Sequence, residues 1–227
     1  MTAKKAQGIQ FSYSNTGRKL LLPVIVTTLL FSPTSQAQES KEGFNPMNFT
    51  EFWKPQDPSQ QLSKKVSSAT TTSVAQGIIY SAMQDDPTHI KEIAGASMQG
   101  ATTVEIVGTV INTVLEQAAI SKEESLPLCV TMYKNTTDAL KPNAFAQIMR
   151  NFAVSDQKTV LLTMLPVVEP NHLTSVVASA LSVVEWESFK EAAQEIYNQM
   201  KTEGKIQFKQ AINLGIQKFR ETPQTQN

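Results

Sequence analysis

The sequence predicts an all-α fold, a single-domain bundle of about five to seven helices around a central apolar helix. Three observations lead there. After residue 59, apolar residues recur at three- and four-residue steps through most of the chain. Prolines and short polar runs separate these periodic stretches. Residues 89–120 contain no proline and only four charged residues. In that stretch Ile90, Ile93, Ser97, Ala101, Val104, Val107, Ile111, Val114 and Ala118 form one stripe, as a central helix requires. Its β-branched part, residues 102–114, also suits a strand, but the uninterrupted helical stripe favours a helix. With 41% hydrophobic and 18% charged residues, the 227-residue chain can build one core.

The chain opens with an export pattern. No Asp or Glu precedes Glu39, whereas Lys4, Lys5, Arg18 and Lys19 all do. Residues 20–31 are largely apolar and too short for a bilayer span, which needs about 20 residues. Ser35-Gln36-Ala37 then places small residues as a cleavage site does, so a secretory peptide of residues 1–37 is expected, cut between Ala37 and Gln38. An organelle transit peptide or an uncleaved anchor is the competing reading. Cleavage removes four basic and no acidic residues from 20 of each, leaving 16 against 20, a net charge of −4. A mildly acidic protein is poorly suited to nucleic acid. The expected location is periplasmic or secreted. One cysteine, Cys129, excludes an intramolecular disulfide, and its apolar neighbours suggest an inert buried thiol.

Residues 38–58 read as an arm rich in aromatics and proline. Phe44, Phe49, Phe52 and Trp53 are its binding candidates, and Met47 lies in the same stretch. They either plug a groove on the helical core, the expected arrangement, or anchor the protein to a membrane, a polymer surface or a partner. Residues 59–221 form the helical domain and 222–227 a polar tail.

Within that domain, residues 60–84 read as a first helix with Leu62, Val66, Ala69, Ser73, Gly77 and Tyr80 on one face. Asp86 caps the next helix and Pro87 occupies its first turn. Residues 121–127 read as a polar connection. Shorter helices follow over 128–140 and 143–154, parted by Lys141 and Pro142, and another from Ser155 or Asp156 to about Leu165. From Asn171, Leu173, Val176, Val177, Ala180 and Val184 mark one face, while Trp186, Phe189, Ala193, Ile196, Tyr197 and Met200 mark the opposite one. Such a helix bends near residues 184–186 or packs its two halves differently. Gly204 ends it, and Phe208, Ala211, Ile212, Gly215, Ile216 and Phe219 stripe the last helix. No internal repeat marks a solenoid.

Chemistry-bearing clusters are few. Asp85, Asp86 and His89 suggest a metal, but helix capping accounts for them better. His172 reads as an exposed imidazole at a helix start. Glu187, Glu191 and Glu195 recur every four residues without the Glu-x-x-His pairs of di-metal bundles, and so read as a solvated face. No catalytic motif, phosphate loop or C-x-x-C is present. No metal, cofactor or catalytic residue is expected. Asn48 and Asn135 sit in glycosylation triplets. The aromatic arm before Ala/Thr/Ser-rich helices resembles phasins, which coat polymer granules; the export signal conflicts with a cytoplasmic coat, so no residue role carries over. The expected function is non-enzymatic protein–protein interaction or envelope assembly. Lipid- or polymer-surface binding is the first alternative, and an enzyme with a site built from distant residues the second.

Overall fold

The structure is a computed structural model that describes residues 57–118 and 122–222. Among these residues there are ten α-helices and no strand. They are α1 (Pro58–Ser67), α2 (Thr72–Asp85), α3 (Ile90–Gly100), α4 (Val104–Ala118) and α5 (Lys122–Asn135), then α6 (Lys141–Arg150), α7 (Val154–Met164), α8 (Pro170–Leu181), α9 (Trp186–Gln199) and α10 (Thr202–Glu221). Short 3-10 turns, Asp138–Leu140 and Leu165–Val167, lead into and out of α6 and α7.

Each helix packs on the helix two places along: α1 on α3, α2 on α4, and so on to α8 on α10. Odd helices therefore make one layer and even helices the other, the arrangement of stacked helical hairpins. The core runs between the layers. Tyr133 meets Phe145 edge to face at 6.0 Å, and Ile111, Met132, Ile148, Leu161, Met164 and Phe189 are buried along it.

Ten helices replace the expected five to seven because three long periodic runs are broken. Residues 89–120 give not one central helix but α3 and α4, in different layers. The break falls at Ala101–Thr103, where the Thr103 hydroxyl accepts the Ile106 amide at 3.3 Å and starts α4. The interruption shifts the helical phase, so Val104 leaves the expected stripe and is exposed. Likewise residues 60–84 divide at a Ser/Thr-rich turn. Ser67 and Ser68 bond back to the carbonyls of Lys64 and Lys65, and Thr71 caps α2 through the Val74 amide. The buried face of α2 is consequently Ala75, Ile79 and Met83, not Ser73, Gly77 and Tyr80. The third break, between α8 and α9, lies at the expected bend.

Boundaries differ elsewhere too. α5 begins at Lys122 and carries Pro127 inside it, so residues 122–127 are helix rather than a connection. α7 begins at Val154, and its N-cap residue is Ala153 rather than Ser155 or Asp156. α9 ends at Gln199, and Gly204 lies in the first turn of α10.

Polar clamps repeat the packing rule. Gln99 on α3 donates to Asn135 on α5 at 2.8 Å. Asn112 on α4 accepts from Gln147 and Asn151 of the α6 region, both at 3.0 Å. Buried Gln157 on α7 accepts the Glu185 amide at 3.0 Å and so fixes the entry to α9.

Candidate functional site

The residues singled out first in the sequence, Phe44, Phe49, Phe52 and Trp53, lie outside the described residues, as do Ala37, Gln38, Asn48 and the apolar run 20–31. No helix among the described residues is long and apolar enough to cross a membrane.

Asp86 does not cap α3. It closes α2, and its carboxylate accepts the Thr88 hydroxyl at 2.9 Å and meets His89 Nδ1 at 2.8 Å. Pro87 and Thr88 form a turn closed by the His89 amide on the Asp86 carbonyl, so α3 starts later, with no side-chain cap. The hydrogen bond from His89, then that from Thr88, holds the Asp86 carboxyl below the usual range, and the hydrogen bond and charge of Asp86 hold His89 above its own. Among the described residues no group of three or more His, Cys, Asp and Glu is placed to hold a metal.

Glu191 and Glu195 face Lys158 of α7 at 3.0 and 3.7 Å, and Glu187 meets Lys190 at 3.3 Å. The acidic row on α9 is therefore a set of exposed ion pairs that bridges α7 and α9. Asn135 is held on both sides of its amide, donating to the Thr131 carbonyl and accepting from Gln99, and Thr136 beside it is buried. Burial raises the Cys129 thiol to about 12, which leaves it protonated at neutral pH.

A charge cluster unmarked in the sequence joins the α5–α6 turn to α8. Lys141, expected in a linker, is the first residue of α6, and only 7% of its side chain is exposed. Its ammonium lies 2.9 Å from Asp138, 3.0 Å from Glu169 and 5.9 Å from the centre of the Tyr133 ring. His172, expected in solvent, is largely buried, 3.6 Å from Glu169 and 3.7 Å from Asp138. Burial, then the charges of Glu169 and Asp138, pushes the Tyr133 phenol above its usual value. With its ammonium held charged and its phenol held neutral, the cluster ties the α5–α6 turn to the start of α8.

Two grooves lie at opposite ends of the helix order. The first, about 830 Å³, runs among α1, α2 and α3 over Leu62, Val74, Ile78, Ala82 and Ile93, with Asp57, Lys65, Asp85, Asp86, His89 and Glu92 along it. The second, about 270 Å³, lies between α9 and α10 and is lined by Trp186, Phe189, Tyr197, Phe208, Ile212 and Ile216, with Lys190 and Lys209 at its rim. Trp186 stacks on Phe189 at 6.2 Å yet stays 46% exposed. Lys205 lies 5.1 Å from the centre of the Tyr197 ring. No protein-family model, curated protein or solved structure matches this chain.

The second groove corresponds in part to the face read from the sequence. Phe189, Ala193 and Ile196 of that face are buried, Tyr197 is partly buried, and Trp186 is left open. The lysines along it carried no sequence signal, because α10 supplies Lys205 and Lys209 and α9 supplies Lys190.

Proposed function

We propose that this chain is an exported, non-enzymatic helical protein that binds a protein partner through the edge formed by α9 and α10. The observation that carries the reading is the aromatic groove around Trp186, beside a helix, α10, that leaves further apolar residues exposed. Ile206 is 66% and Leu214 55% exposed there. Such apolar surface at the last hairpin of a stack marks an interaction edge. The chemistry suits a segment with apolar anchors and acidic flanks: Trp186 and Tyr197 offer ring surface, while Lys190, Lys205 and Lys209 favour carboxylates. Export rests on the basic start, the short apolar run and the small residues before Gln38.

The test is site-specific photo-crosslinking in the native host, with the photoreactive residue at Asn213, which lines the groove, and, as control, at Glu191 on the ion-paired face. A discrete adduct from position 213 alone is expected, together with an envelope species beginning at Gln38 on N-terminal sequencing. No adduct at 213, with no binding of an apolar dye by the purified protein, overturns partner binding at this edge. A full-length cytosolic species overturns export.

A further inference from the structure

We infer that the groove among α1, α2 and α3 is the docking place of the chain's own Phe52 and Trp53. This does not rest on the α9–α10 reading, because a different groove at the other end of the helix order is involved. Reach is the first argument. Asp57, the first described residue, stands on the groove wall, and the wall follows α1 as far as Lys65. Eight residues of helix rise about 12 Å. Four extended residues, from Asp57 back to Trp53, span about 13–14 Å, so the indole can reach any point along that wall.

Chemistry is the second argument. The floor is aliphatic, and among the described residues a Cβ added at Gly77 meets nothing within 4 Å, which leaves room for a ring beside α2. About 830 Å³ falls inside the range of about 300–1,000 Å³ usual for clefts that hold a compact apolar ligand. A tether this short gives an effective concentration of roughly millimolar, so even weak contacts keep the groove filled. A second copy of the chain or a separate partner must displace this occupant.

The chain has two tryptophans, Trp53 and Trp186, so Trp186→Phe makes Trp53 the sole reporter. In that full-length variant the Trp53 emission should be blue-shifted and several-fold less quenched by acrylamide than in the urea-unfolded protein. Adding Gly77→Leu, which fills the open space beside α2, should return quenching towards the unfolded level with unchanged helical circular dichroism. Equal quenching in folded and unfolded protein overturns the inference, as does protection that survives Gly77→Leu or that requires high protein concentration. Should Gly77→Leu not fold, Phe52→Cys with Gly77→Cys decides. Mild oxidation should close an intramolecular disulfide seen as a faster-migrating band, and its absence overturns docking. Failure of partner binding at α9–α10 leaves the Trp53 signal unaltered, so the two readings fail separately.

Discussion

Lys141 Nζ lies 3.0 Å from Glu169 Oε1, which ties the first residue of α6 to the residue just before α8. The pair spans two helices of the same layer, and Asp138 completes it from the preceding turn at 2.9 Å.

The charge states of this cluster set a pH window. The hydrogen bond and charge of Lys141 hold Asp138 below the usual carboxylate range. Burial acts to raise Glu169, but its backbone hydrogen bond and Lys141 outweigh that and bring it down. Burial likewise opposes the Lys141 charge, and the bonds to Asp138 and Glu169 raise it nonetheless. Carboxylates lowered by folding stabilise above their unfolded pKa, and that contribution disappears as pH falls through the folded values. A raised lysine stabilises below its unfolded pKa and loses that contribution as pH climbs through the folded one. These groups therefore leave stability level between about pH 5 and pH 10. Lys141→Met should lower stability at pH 7 by about 1–3 kcal/mol and flatten its loss below about pH 4 in urea titrations, because the carboxylates are then no longer held down.

Gln157 is a buried amide whose oxygen takes the Glu185 amide hydrogen. Gln157→Ala leaves that N–H without its partner and should lower stability by about 1–3 kcal/mol in urea. Hydrogen exchange at Glu185 should accelerate by at least as much as the global loss accounts for. Unchanged exchange there would mean that water replaces the side chain at no cost.

Close approach at two glycines gives a paired prediction. A Cβ on Gly215 would stand 2.6 Å from Val177 Cβ and 2.9 Å from the Thr174 carbonyl, driving α10 away from α8. A Cβ on Gly100 would stand within 3 Å of the Ser63 carbonyl and of Val66, driving α1 away from α3. Each Gly→Ala change should destabilise by about 1–3 kcal/mol in spite of its better helix propensity. Limited proteolysis should separate them, with faster cleavage near residues 200–201 for Gly215→Ala and near 68–71 for Gly100→Ala.

Cys129 should be silent towards thiol reagents in the folded protein. With its thiol pushed up to about 12 by burial, it should react with less than a tenth of an equivalent of a disulfide reagent at pH 8 under native conditions, and with one full equivalent in guanidinium. Full native reactivity would show that α5 opens readily.

The helical class was legible because core spacing alone specifies it, and the α8–α9 break was legible because the two halves present opposite faces. The breaks at residues 68–71 and 101–103 were not. There the apolar stripe continues across the interruption by coincidence, and hydroxyls of Ser67, Ser68, Thr71 and Thr103 end or start helices in ways a stripe does not register. Tyr80 and Val104 show the consequence, since each lies on an expected core face and is exposed. The lysine cluster was illegible for another reason. Asp138 and Lys141, like Glu169 and His172, stand three apart, which suggests two separate surface pairs; only the packing of α6 on α8 merges them.

The rule that each helix packs on the helix two places along has a consequence for how the chain folds. Contacts close over short loops, so little chain entropy is lost before each one forms, and folding can begin at any interior hairpin. Among the described helices, interior hairpins are flanked on both sides, whereas the first and last have one neighbouring hairpin each. Opening should therefore spread inward from both ends, with amide protection lowest in α1–α2 and α9–α10 and highest near α5 and α6. The two grooves are built largely from those outermost hairpins, so each is formed by the segments that cost least to rearrange.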